Sequence, residues 1–64
     1  MGWFEYEQSK EIASKEYSWL SLLFALIRKS DSNNAQIIKE NWPEHYEELV
    51  KRYNVPGGHI PDID

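Results

Sequence analysis

The segment from Tyr17 to Ile27, Y-S-W-L-S-L-L-F-A-L-I, carries nine apolar residues in eleven and no charge. A helix needs roughly 20 apolar residues to cross a bilayer, so this run requires cover from the rest of the chain or from another molecule. Wound as a helix at about 100° per residue, it shows two faces. Ser14, Ser18, Ser21 and Ala25 fall on a narrow strip of small residues. That strip either meets water or lets a second helix approach closely. Trp19, Leu20, Leu22, Leu23, Phe24, Leu26 and Ile27 spread over more than half of the remaining circumference. A surface helix needs an apolar arc of only about 100°. The segment is therefore expected to have neighbours on at least two sides.

Sixty-four residues make one small domain. A chain of this size buries only about 60% of its unfolded surface and is marginal without a further device. The chain has no cysteine, which excludes disulfides and thiolate zinc sites. His45 and His59 are too few to suggest a structural metal, so neither metal nor cofactor is expected. Oligomerisation, or docking on a larger protein, is the device left. The net charge of −4, from eleven acids and seven bases, argues against a nucleic-acid binder, which needs a basic face to displace counterions. No early Lys or Arg precedes an apolar run, and Tyr6 stands where myristoylation requires Ser or Thr. The expected location is cytoplasmic, away from the membrane.

Three helices are expected along the chain. Trp3, Phe4 and Tyr6 sit in an aromatic N-terminal arm, residues 1–8, that serves as a lid over the core or an anchor for a partner. Ser9 is a plausible N-cap for a long first helix over 9–29, closed by Arg28 and Lys29 at the negative end of its dipole. After the polar connector Ser30–Asn33, the pair Asn33 and Gln36 approximates a capping box for a short helix over 34–41. Its apolar side is Ala35, Ile38 and Trp42. Pro43 ends that helix and opens the next, over 43–53. There Tyr46, Leu49, Val50 and Tyr53 form a stripe about 100° wide. Glu47–Lys51 and Glu48–Arg52 stand at favourable i,i+4 spacing. Asn54 and Pro56 stop the helix, Gly57-Gly58 makes a turn, and residues 55–64 read as an irregular tail. The fold class is all-α, a small three-helix arrangement centred on the first helix. Its expected core is Ile12, Leu20, Leu23, Phe24, Ile27, Ile38, Trp42, Tyr46, Leu49, Val50 and Tyr53.

Asp31-x-Asn33, Trp42-Pro43-Glu44, Arg52-Tyr53-Asn54-x-Pro56-Gly57-Gly58 and Ile60-Pro61 resemble the end of short phage and prophage proteins that have no established activity. The resemblance covers residues 31 to 61. It implies a mobile-element origin, a compact helical fold and action by binding a host or phage protein, including inhibition of a bacterial defence system. No functional residue carries over from it.

Each candidate site has a plainer competitor. The second and third helices suggest a helix-turn-helix DNA-binding regulator, but Glu44, His45, Glu47 and Glu48 would meet phosphates at the recognition end. His59 and Asp62 have the spacing of a base and its orienter, or of metal ligands, on a tail without scaffold or nucleophile. No catalytic site is expected. Glu40, Glu44, Glu47 and Glu48 form an acidic face that would mimic phosphates toward a nucleic-acid-acting enzyme, or simply be solvated. The leading expectation is a non-enzymatic interaction protein, binding itself or another protein. Its contact residues would be Trp3, Phe4, Trp19, Leu22 and Leu26, the large apolar side chains least claimed by the other helices.

Overall fold

A computed structural model describes residues 2–64. The described residues form four α-helices and no strand: α1 Trp3–Ala13, α2 Trp19–Lys29, α3 Ser32–Asn41 and α4 Pro43–Tyr53, followed by a single 3-10 turn at Pro56–Gly58. No helix among them is long and apolar enough to cross a membrane.

The expected 9–29 helix is two helices. Residues 14–18 break it, and serine chemistry explains why. Ser14 turns its hydroxyl back to the Glu11 carbonyl at 2.6 Å, and the Lys15 N–H closes a tight turn on the Ile12 carbonyl at 3.1 Å. Ser18 then takes extended geometry and accepts from the Ser21 N–H as the N-cap of α2. Serine competes with the helical ladder in this way and favours caps over helix interiors. Ser9 is no cap; it lies inside α1 and donates to the Tyr6 carbonyl. The N-terminal arm is helical from Trp3 onward. The small-residue strip dissolves with the break, since Ser14 and Ser18 lie outside α2.

The later elements follow their punctuation closely. Asp31, not Asn33, caps α3 by accepting from the Asn34 N–H at 2.8 Å, so the helix starts at Ser32. Trp42 sits between α3 and α4 in a non-helical conformation, its geometry limited by Pro43. Its N–H still reaches Ile38 and its carbonyl receives Tyr46, so one residue terminates one helix and begins the next.

The core has one buried residue from each of four segments: Leu23 of α2, Ile38 of α3, Leu49 of α4 and Ile60 of the C-terminal segment. The hub is α4, which packs against α2, α3 and the Pro56–Gly58 turn. The first helix is not the centre of the fold. Ile12, Trp42, Val50 and Tyr53, expected inside, are exposed. On α4 the covered side holds His45, Tyr46, Glu48, Leu49 and Arg52, and leaves Val50 and Tyr53 of the expected stripe outside. That cover becomes possible because the C-terminal segment folds over Glu48 and Arg52 and supplies their partners. Gly57 and Gly58, at φ of 68° and 70°, make the reversal that returns the segment; left-handed geometry of this kind favours glycine.

α1 lies apart. It contributes no buried residue and does not figure among the packed element pairs. The molecule measures 41 × 28 × 18 Å with a radius of gyration of 13.6 Å, against about 10.7 Å for a compact domain of this length.

Candidate functional site

Three surface features bring chemistry together. The first is a polar clasp. Arg52 leaves α4 and donates Nη1 and Nη2 to Asp64 Oδ2 and Oδ1 at 2.9 and 2.7 Å. It also donates Nη1 to the Gly58 carbonyl at 2.8 Å and Nε to Glu48 at 3.0 Å. Asp64 in turn accepts the Ile60 N–H at 3.0 Å, and His59 Nδ1 lies 3.1 Å from its Oδ2. The paired fork of Arg52, followed by the Ile60 N–H, holds the Asp64 carboxyl far below the ordinary carboxylate range. Asp64 and then Glu48 push the Arg52 guanidinium above its ordinary value. The clasp ties the C-terminal segment to α4 and keeps Ile60 inside. It pairs His59 with Asp64, not with Asp62, whose spacing from His59 suits a base and its orienter. No group of three or more His, Asp or Glu suited to a metal ion occurs among the described residues.

The second is the acidic surface. Glu44, Glu47 and Glu48 line an open depression of about 520 Å3 together with Val50, Lys51, Asn54 and Ile63. Glu40 stands apart on α3, accepting from Gln36 at 3.4 Å. Glu44, Glu47 and Glu48 thus share the depression, where Lys51 adds a positive charge and Arg52 pairs with Glu48.

The third is an apolar groove of about 210 Å3 on the outer side of α2. Trp19, Leu22 and Leu26 line it with the Leu23 side chain and Trp42 from the α3–α4 corner. The inner side of α2, with Leu20, Phe24 and Ile27 half-buried beside Leu23, faces the fold. α2 therefore has two apolar faces and only one is covered. Trp19 is 57% exposed, Leu26 54% and Trp42 40%. The Trp19 ring meets Trp42 edge to face, with centroids 6.0 Å apart and planes at 70°, and His45 at 5.6 Å and 67°. Aromatic pairs prefer this arrangement, and it holds the two indoles upright as one wall.

The structure thus brings Trp19, Leu22 and Leu26 together and leaves Trp3 and Phe4 elsewhere. The latter two are exposed on α1 and do not line the groove. Trp42 is the groove residue that sequence reasoning places in the core. The Trp-Pro pair sets Trp42 at the α3–α4 corner, where its indole meets the Trp19 ring. Comparison with protein families, with curated proteins and with solved structures gave no match.

Proposed function

We propose that this protein is a non-enzymatic interaction protein that binds a protein surface through the α2 groove. The supporting observation is the contiguous, uncharged strip of Trp19, Leu22, Leu26 and Trp42 left open on a chain that is otherwise rich in charge. Tryptophan is enriched at the energetic centres of interfaces, and exposed apolar patches of this kind mark binding surfaces. The most closely clustered polar groups, Arg52, Glu48, Asp64 and His59, engage one another, which supports a structural role for them. The resemblance of residues 31–61 to phage and prophage proteins is in keeping with action on a protein partner inside a host cell.

The acidic-face alternative is less well supported, because Arg52 pairs with Glu48 and Lys51 stands among the other carboxylates. The test is retention on the immobilised chain. Proteins bound from lysate, or added copies of the chain, should be held by the native protein and lost with Leu22→Glu while helicity is preserved. Retention that is unchanged by Leu22→Glu but abolished by Glu44→Lys would overturn the reading in favour of the acidic face.

A further inference from the structure

We infer that the occupant of the α2 groove is a second copy of this chain, seated with the two α2 helices antiparallel about a twofold axis. The inference rests on the reading of the groove as an interaction surface and names its partner.

Surface area is the first argument. The chain exposes 5522 Å2, whereas a compact folded monomer of its mass exposes about 4300 Å2. The surplus, roughly 1200 Å2, is spread over the unpacked α1 and the open face of α2, and a standard interface takes roughly 800 Å2 from each partner.

Spacing is the second. Trp19, Leu22 and Leu26 stand at intervals of three and four, and Lys29 follows three residues later. This is the a/d seam of a helix pair, bordering the face α2 offers to α4, with Trp19 at the edge against His45. A twofold interface uses the same patch on both copies and must be self-complementary. An uncharged apolar strip meets that condition. In the antiparallel register, Leu22 of one copy faces Leu26 of the partner subunit, and Trp19 faces Lys29 of the partner subunit.

Charge selects the direction. α2 has no acid in its first turn and carries Arg28 and Lys29 in its last. Glu16 precedes its N-terminus, and Glu44 opens α4 beside the Trp42 wall. An antiparallel pair brings Lys29 of each copy toward the end that Glu16 precedes and opposes the helix dipoles favourably, while Arg28 is held within its own chain by the Tyr53 hydroxyl at 2.8 Å. The parallel pair would set lysine against lysine. The Lys29 of each copy can lay its aliphatic stem and ammonium across an indole that is open to solvent.

The test combines mass with cross-linking on the full chain. Light scattering after size exclusion should show twice the 7.6-kDa chain mass at high micromolar concentration and dissociation on dilution. Leu26→Glu should raise the dissociation constant by at least about 30-fold, the scale of an interface hot spot. Trp19→Ala repeats that readout without adding a charge, and far-UV dichroism checks that both variants keep native helicity. The native chain has no cysteine, so Leu22→Cys and Leu26→Cys report geometry cleanly. Under mild oxidation, a mixture of the two variants should form the mixed disulfide, while each alone forms little. Strong self-linking of each variant alone would overturn the antiparallel arrangement. A monomer at every concentration, or a dimer indifferent to Leu26→Glu and Trp19→Ala, would overturn the inference. The retention test with Leu22→Glu decides separately whether the groove binds any protein.

Discussion

α1 and α4 are each eleven residues long, and both carry large aromatic side chains among charged ones. α4 buries Leu49 and organises the fold; α1 buries nothing. The difference lies in phase. In α4, Leu49 shares a side with His45, Tyr46, Glu48 and Arg52 that the other elements cover, while Val50 and Tyr53 of its apolar stripe stay outside. In α1, Trp3, Phe4, Tyr6 and Ile12 point around the whole circumference and no side is covered. An unaligned set cannot be buried by one neighbour, and short helices without tertiary packing are marginal in water. α2 shows the remaining case, two aligned faces of which one has no partner within the chain. The amount of apolar surface is thus a poor guide to burial. Alignment, together with partners for the neighbouring polar groups, decides where a helix docks, as with Arg52 and Glu48 on α4.

Substitution can break this contrast. Leu49→Ala removes the most deeply buried side chain, 3% exposed, and should cost about 2–5 kcal/mol in urea unfolding, enough to threaten a small domain. If Ile12→Ala, on α1, proved equally costly, the contrast would collapse. Next in size is the loss of a cap. Ser18→Ala and Asp31→Ala each remove a side-chain acceptor from a helix start and should cost about 1 kcal/mol. Either change being silent would sever the link between those serine and aspartate side chains and the helix boundaries.

The clasp gives a smaller effect that depends on pH. Asp64 has a folded value held below its ordinary 3.8, so the folded state favours the ionised carboxylate. Its stabilisation is present above pH 3.8 and is lost as the pH falls from there through the depressed folded value. Asp64→Asn should therefore flatten the acid side of the stability profile and speed hydrogen exchange at the Ile60 N–H. An unchanged acid limb would place the acid-sensitive group elsewhere. The smallest effect belongs to α1, where Trp3→Ala and Phe4→Ala should each change stability by less than about 0.5 kcal/mol. A larger loss would mean that α1 is packed in solution.

Much of this architecture is legible in the sequence where a local device sets it. Pro43 fixes the start of α4, and the Asn54–Pro56 region fixes its end, so the element spans 43–53 as read. The Glu48–Arg52 pair is likewise present at its helical spacing. The break at 14–18 is hidden because Ser14 and Ser18 fit a helical strip as readily as they fit a turn and a cap. Their choice is settled by α1 having no aligned face to dock, so that continuing the helix gains nothing. Ile60 is hidden for another reason. Flanked by His59 and Pro61, it belongs to no period, and its burial depends on Gly57 and Gly58 turning the chain and on Arg52 holding Asp64. That same closure covers Glu48 and Arg52 on α4 and leaves Val50 and Tyr53 outside. The exposure of Trp19, Leu22 and Leu26 is readable from the width of the α2 arc, which exceeds what two short helices can cover. The place of Trp42 beside them is a tertiary fact carried by the α3–α4 corner.

The most direct test of the central claim, that an aligned apolar face left open on α2 is closed by a second copy, is the urea midpoint as a function of protein concentration. Association with the folded state alone raises apparent stability by mass action. The midpoint should climb as the concentration rises, and the climb should vanish in Leu26→Glu. A midpoint independent of concentration from micromolar to millimolar chain, with the native protein folded throughout, would contradict it.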